Sequence, residues 1–94
     1  MKASEIISDI EGVVKSFTDG VYSKWRIGRA NDPVESKIRY GTPDSWRDWD
    51  ANSEDAAREA ESYFIDKGMR SEGISYSGAD FVYIFYTGSP QEKL

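Results

Sequence analysis

Apolar and polar positions in the first third of the chain predict a helix followed by a strand. Residues 4–17 place apolar side chains at three- and four-residue intervals, which is the period of an amphipathic helix. Residues 21–28 alternate apolar and polar side chains, which predicts a strand with one side facing solvent. The buried stripe of the helix is predicted to contain Ile6, Ile10, Val13 and Phe17.

A second, shorter helix is predicted after this strand. Asp32 followed by Pro33 is typical of a helix start, because Asp caps free amides and Pro is preorganised for the first helical position. We therefore predict a helix over residues 33–39 that buries its apolar pair, Val34 and Ile38.

Turn residues then lead to a short strand, which we predict over residues 47–50. Trp46 and Trp49 are three positions apart, so a regular strand cannot place both on the same face. The tryptophans are therefore expected to have different surroundings.

Residues 52–69 carry the clearest helix signals in the chain. Asn52 or Ser53 can accept a hydrogen bond from an amide of the first turn, and Gly68 suits the left-handed conformation that ends a helix. The stripe of this helix that faces the core is predicted to contain Ala57, Ala60, Phe64 and Ile65.

The last apolar run, FVYIFY at residues 81–86, is apolar on both faces, as expected of a strand that is covered on both sides. We predict that it is the central strand of a three-stranded sheet on which the helices pack. Residues 70–80 are predicted to form a long connection, and residues 87–94 a flexible tail. The fold class is thus α/β (α+β), a single domain over residues 1–94 in the order α-β-α-β-α-β.

Composition restricts the chemistry that this domain can perform. The 94 residues include no cysteine and no histidine. Disulfides, thiol catalysis, zinc sites built from Cys or His, and Ser-His triads are therefore excluded. The sequence shows no signal peptide and no apolar run of membrane-spanning length, so we expect a cytoplasmic protein without a membrane partner.

Charge is distributed unevenly along the chain. The formal net charge is −5, but residues 15–39 carry a net charge of +3 and residues 44–66 carry −6. One interpretation is ordinary surface charge in which the two segments complement each other. The other is a basic face that binds nucleic acid, with aromatic side chains that stack on bases. The residues of this candidate face are Tyr22, Lys24, Arg26, Arg29, Lys37 and Arg39.

Glu61 is the most informative single residue, because it falls beside the stripe of its helix that is predicted to be buried. Ionised carboxylates are rarely buried without a partner or a metal ion. Glu61 either lies at the edge of the stripe, where it reaches water or Arg58, or is buried with a partner or a metal.

Two segments resemble the GIY-YIG endonuclease superfamily. Residues 25–33, WRIGRANDP, precede a predicted short helix, and residues 60–69, AESYFIDKGM, place a glutamate on a later helix. The resemblance implies an α/β fold and an endonuclease in which Glu61 is a catalytic ligand of Mg²⁺. The motif positions are Arg26, Ile27 and Gly28 on Tyr-Ile-Gly, Asn31, Asp32 and Pro33 on the helix start, and Glu61 on the metal-binding glutamate.

Other catalytic positions of that family are not matched. Arg26 stands where the tyrosine of Tyr-Ile-Gly is expected, Ser36 stands where the helical arginine is expected, and no asparagine follows the Glu61 helix. We therefore predict a non-catalytic GIY-YIG-like domain, without a cofactor, that acts as an interaction or accessory module for an unknown protein partner.

This interaction module is expected to expose an aromatic patch around Trp46, Trp49 and residues 70–80. A nucleic-acid-binding domain is the first alternative. The second is an Mg²⁺-dependent endonuclease in which Arg26, Arg29 or Arg39 clamps the phosphate.

Overall fold

The computed structural model describes residues 1–71 and 78–87. In these ranges, helices α1 to α3 accompany a four-stranded sheet with the strand order β2-β4-β1-β3. The elements, in chain order, are α1 Ala3–Thr18, β1 Trp25–Ala30, α2 Pro33–Arg39, β2 Arg47–Asp50, α3 Glu54–Lys67, β3 Arg70–Ser71 and β4 Phe81–Tyr86.

The sheet confirms the mixed α/β class and the central place of β4, which lies between β2 and β1 and is antiparallel to both. The prediction of three strands is wrong. Arg70 and Ser71 form the additional strand β3, which pairs in parallel with β1, so the predicted connection begins only after them. The middle of that connection, residues 72–77, lies outside the described residues, as does the predicted tail beyond Thr87.

Capping explains why α2 and α3 begin where they do. The Asp32 carboxylate accepts hydrogen bonds from the amides of Val34 and Glu35, and Pro33 is the first residue of α2. Ser53, rather than Asn52, caps α3 by accepting from the Ala56 amide at 3.0 Å. Gly68, with φ of 116°, ends α3 in the left-handed region.

The first strand differs from the sequence-based prediction. Residues Tyr22–Lys24 form a turn of 3₁₀ helix, and β1 begins at Trp25 and continues to Ala30. The alternation in residues 21–28 therefore reflects a turn followed by a strand. This shift adds Arg29 to the strand, on the same face as Trp25 and Ile27.

Helices α1 and α3 cover one face of the sheet and enclose a core that includes Trp25 and Phe64. Val14 replaces Val13 and Phe17 on the buried stripe of α1, and Phe17 remains 57% exposed at the last turn. Ile65 of α3 is also partly exposed, at 39%. The fully buried side chains of this core are Ile6, Ile10, Val14, Trp25, Ile27, Ala57, Ala60, Phe64, Val82 and Ile84.

The opposite face carries a second, aromatic core. Trp46 stacks on Tyr83 with a centroid distance of 4.5 Å, and Phe85 and the partly buried Tyr40 complete the cluster. Trp46 is therefore buried and does not contribute to the predicted exposed patch, whereas Trp49 is partly exposed and residues 72–77 of that patch lie outside the described residues. Trp49 lies on the other face of the sheet, toward α1, as the three-residue spacing requires.

The outer side of α2 exposes the residues that were predicted to be buried. Val34 and Ile38 are 67% and 64% exposed, whereas Ser36 is buried. Two apolar positions in a seven-residue helix do not determine which side packs, and here Ser36 and the Tyr40 that follows face the sheet. None of the helices in residues 1–71 and 78–87 is long and apolar enough to cross a membrane.

Candidate functional site

Glu61 is paired with Arg29 between α3 and β1. The Arg29 Nε donates to Glu61 Oε1 at 2.9 Å, and the two side chains are only 6% and 13% exposed. The glutamate therefore pairs with Arg29 rather than with Arg58, and only a small part of its side chain is exposed. The ion pair connects the helix layer to the middle of the sheet.

Further carboxylates on α3 extend this pair toward solvent. Glu54 Oε2 lies 3.8 Å from Arg29 Nη1 and 3.2 Å from Arg58 Nη2, and Arg58 also contacts Asp55 at 3.2 Å. Two glutamates, Glu54 and Glu61, thus flank a single buried guanidinium. Their negative charges offset the cost of removing that cation from water.

The donor set around Glu61 does not fit a magnesium site. Mg²⁺ is held by carboxylates and water in octahedral geometry, whereas here the guanidinium of Arg29 is the cation that Glu61 and Glu54 surround. In residues 1–71 and 78–87, no group of three or more acidic side chains is arranged to hold a metal.

Gly28, the glycine of the family-like motif, has a packing role. A Cβ at this position would overlap the hydroxyl end of the Tyr83 ring. That ring is held in place because it is 3% exposed and stacks against Trp46. Packing by Tyr83 therefore accounts for glycine at this position.

The candidate nucleic-acid residues do not form one cluster. Arg29 is buried in the helix-covered core, whereas Arg26 alternates onto the opposite face of β1. Lys37 and Arg39 belong to α2, where Arg39 contacts Glu35 at 3.5 Å. Nucleic-acid binding remains a prediction.

Tyr22 and Lys24 precede β1 in the 3₁₀ turn. Tyr22 packs against Phe64 of α3, and burial, followed by the charge of Glu11, raises the pKa of Tyr22. The backbone carbonyl of Lys24 accepts from Thr87. The aromatic ring of Tyr22 therefore supports the helix layer.

An open groove with a volume of about 550 Å³ lies between α1 and β2. We call it the α1–β2 groove. It lies on the side of α1 adjacent to the buried stripe, beside a strand that is at the edge of the sheet. Its lining residues are Asp9, Gly12, Val13, Ser16, Phe17, Arg47 and Trp49.

Side-chain contacts connect the two walls at both ends of the groove. At one end, the indole N–H of Trp49 donates to Asp9 Oδ2 at 3.2 Å. At the other end, the Arg47 guanidinium lies 5.8 Å from the centroid of the Phe17 ring, within cation–π range. Arg47 is exposed and makes no ion pair with any described residue.

Gly12 lies on the wall of the groove, in the middle of α1. Glycine inside a helix costs roughly 1 kcal/mol relative to alanine. No described atom lies within 4 Å of the position that a Cβ would occupy, so packing within the domain does not require glycine. The absence of a side chain instead leaves the helix backbone open to an approaching molecule.

The sequence did not predict this groove. Helical periodicity predicts that Phe17 lies on the buried stripe of α1, and no sequence pattern distinguishes Arg47. Gly12 was the one available signal, because glycine within a strong helical pattern has either a packing or a functional reason. The structure shows that packing among the described residues does not require glycine at position 12.

Tyr63 and Glu11 tie α3 to α1 beside the buried core. The Tyr63 hydroxyl donates to Glu11 Oε2 at 2.8 Å. This hydrogen bond, followed by burial and the charge of Glu11, raises the pKa of Tyr63 above its ordinary value of 10.0. This hydrogen bond joins the two helices, which also pack against each other through the buried core.

Comparison with known proteins gives no relative: no protein-family model, curated protein or solved structure matches this chain. The features of this domain that bear on its function are therefore the Arg29–Glu61 pair and the α1–β2 groove.

Proposed function

We propose that this domain is a non-catalytic protein-interaction module that binds a segment of another protein in the α1–β2 groove. The observation that carries the proposal is the composition of this groove. One open surface is lined by an exposed aromatic ring, a mid-helix glycine and an arginine that has no ion pair among the described residues. Aromatic and arginine side chains contribute most of the binding energy in many protein interfaces.

The Arg29–Glu61 pair supports a non-catalytic role. Glu61 is the residue that the resemblance to the GIY-YIG superfamily would make a metal ligand, and its carboxylate here accepts from a buried guanidinium. Removal of that arginine from Glu61 would leave an unpaired buried charge, which is strongly unfavourable. The pair thus supports a structural role for Glu61 in the proposed non-catalytic relative.

The chemistry of the groove indicates the class of segment that it accepts. Phe17, Val13 and Trp49 present apolar surface, so apolar side chains of the partner are expected there. Arg47 has no carboxylate partner among the described residues, and a carboxylate of the ligand would supply one. A peptide that combines apolar residues with an acidic residue fits both features.

A peptide library displayed on phage tests this proposal. The library is selected on the wild-type domain, and enriched peptides are then measured against Gly12→Trp, which fills the groove, and against Phe17→Ala. We expect both substitutions to weaken binding at least about tenfold, equivalent to about 1.4 kcal/mol. Ile38→Ala, which truncates an exposed apolar side chain on α2, is the matched control and should leave the affinity unchanged.

Urea denaturation of each variant shows whether the domain remains folded. Gly12→Trp points into open space, so the fold should be retained. The proposal fails if no peptide is enriched, or if enriched peptides bind folded Gly12→Trp as tightly as the wild-type domain.

A further inference from the structure

The hydrogen-bond register of β2 determines which of its backbone groups face away from the sheet. In an antiparallel ladder, successive residues point their N–H and C=O groups alternately toward and away from the neighbouring strand. Ala51 N donates to Asp80 O at 2.9 Å, so residues 51, 49 and 47 bond to β4. Asp48 and Asp50 therefore direct their backbone groups to the free edge.

Cations cover the two ends of this edge. The terminal ammonium of Met1 donates to the carbonyl of Asp50 at 2.9 Å, and Arg47 Nη1 donates to the carbonyl of Trp46 at 3.4 Å. Between them, the N–H and C=O of Asp48 have no partner among residues 1–71 and 78–87. Unpaired groups on an edge strand are a template for another strand.

The charges of β2 disfavour pairing between two copies of this chain. Opposed residues in a sheet lie on the same face, so an antiparallel pair of β2 strands centred on residue 48, 49 or 50 would place aspartate opposite aspartate. Like charges that are directly opposed across strands are destabilising. The edge therefore favours a strand from a different protein, with basic side chains on that face.

We propose that β2 binds an extended segment of a partner protein as an additional strand, with basic residues of that segment opposite Asp48 and Asp50. The residues between those basic positions point to the other face and enter the α1–β2 groove. The inference rests on the proposed function, because it assigns a binding mode to the same site. It predicts a ligand in which basic residues alternate with apolar ones, with an acidic residue beside Arg47.

Two substitutions at residue 48 separate backbone pairing from charge. Asp48→Pro removes the outward N–H, and edge strands accept proline where the N–H faces solvent. Asp48→Asn keeps that N–H and keeps an acceptor for the Trp46 indole, which donates to the aspartate at 2.7 Å, but removes the charge. Strand addition predicts that Asp48→Pro abolishes binding, whereas Asp48→Asn weakens it only severalfold.

The probes are short synthetic peptides measured by titration calorimetry and NMR. One alternates lysine with valine and carries a single glutamate at the position beside Arg47, a second has glutamate in place of those lysines, and a third is the lysine peptide with N-methyl groups on the amides of its pairing edge. We expect the lysine peptide to bind at least about tenfold tighter than the glutamate peptide, since opposed charges attract across strands and like charges repel. The N-methylated peptide should not bind, and hydrogen exchange at the Asp48 amide should slow when the lysine peptide is added.

The outcomes separate this inference from the proposed function. Equal binding of the N-methylated peptide, or unchanged exchange at Asp48 under saturating peptide, overturns strand addition while leaving side-chain docking in the groove. Absence of binding by the lysine peptide also overturns it. Unchanged affinity of library peptides for Gly12→Trp overturns the proposed function itself. Analytical ultracentrifugation adds one more check, because a β2-mediated dimer of the chain would contradict the charge argument.

Discussion

Arg29 and Arg47 lie on the same face of the sheet and have opposite surroundings. Arg29 is 6% exposed, lies under α3 and donates to Glu61, whereas Arg47 is exposed and faces Phe17 across an open groove. Two glycines repeat the contrast. The Tyr83 ring occupies the space beside Gly28, whereas no described atom beyond the adjacent backbone of α1 lies within 4 Å of the Cβ position of Gly12.

The difference teaches that residue type alone does not locate a binding site. Arg29 and Gly28 belong to the motif that resembles an endonuclease, but local packing explains both. Arg47 and Gly12 match no motif; among the described residues Arg47 makes no ion pair, and packing does not require glycine at position 12. In this domain the unexplained residues, rather than the motif residues, mark the candidate surface.

The largest expected effect is on the buried pair. Glu61→Ala leaves the Arg29 guanidinium buried without its closest carboxylate, so we expect the free energy of unfolding to fall by about 3 kcal/mol. Urea denaturation monitored by tryptophan fluorescence measures the change. Arg47→Ala is the matched control, because Arg47 lies on the same face of the sheet but lines the α1–β2 groove. We expect it to change the free energy of unfolding by less than about 0.5 kcal/mol.

The double variant Arg29→Met with Glu61→Leu tests whether the stability lost in Glu61→Ala comes from the unpaired charge of Arg29. Replacing both members of a buried pair with apolar side chains is often neutral, so we expect most of the loss to be recovered. A double variant as unstable as Glu61→Ala would show that the pair has a role other than balancing its own charge.

The next largest effect is expected at Gly28, which packs against the Tyr83 ring. Gly28→Ala forces the buried Tyr83 ring to shift against Trp46, and overpacking of this kind costs about 1–3 kcal/mol. Thermal unfolding followed by circular dichroism gives the comparison with wild type. An unchanged midpoint would mean that Tyr83 moves freely, contrary to the stacked packing described above.

Substitution of Gly12 by alanine should instead increase the stability of the domain. Gly12→Ala removes the flexibility cost of glycine in the middle of α1 and meets no neighbour, so it should stabilise the domain by about 0.5–1 kcal/mol. Urea denaturation of Gly12→Ala and Gly28→Ala, measured side by side, tests whether the two substitutions change the free energy of unfolding in opposite directions. A loss of stability at Gly12 would reveal a packing requirement and would weaken the case for a binding role.

The sequence predicted the elements that carry strong local signals. The bounds of α2, β2 and β4 agree with the structure, because Asp32-Pro33 caps one helix and turn residues flank the strands. The start of β1 was wrong, since the residues of a 3₁₀ turn can imitate alternation. Strand β3 has only two residues and depends on its contact with β1, so no periodicity could reveal it.

The candidate site was less accessible to prediction than the fold. Arg29 and Glu61 are 32 positions apart, and their pairing depends on the exact start of β1 and on how α3 lies over the sheet. Which of two adjacent stripes of α1 is buried decides whether Phe17 is core or surface. Helical periodicity does not distinguish these two stripes, because Val13 and Val14 are both apolar.

The smallest expected effect concerns the hydrogen bond from Tyr63 of α3 to Glu11 of α1. Hydrogen bonding to Glu11 raises the pKa of Tyr63 in the folded domain above the value of about 10 expected when it is unfolded. The folded state thus holds the tyrosine proton more strongly, so this contribution to stability is complete below pH about 10 and is lost as the pH rises through the folded pKa.

Tyr63→Phe removes this titration, and stability should therefore fall less steeply than in wild type when urea midpoints are measured between pH about 8 and about 11. Part of the slope will persist, because the pKa of Tyr22 is also raised. Identical slopes in the two proteins would show that the Tyr63–Glu11 hydrogen bond does not hold the helices together in solution. In that case the buried core between α1 and α3 alone would position α1, and with it the wall of the α1–β2 groove.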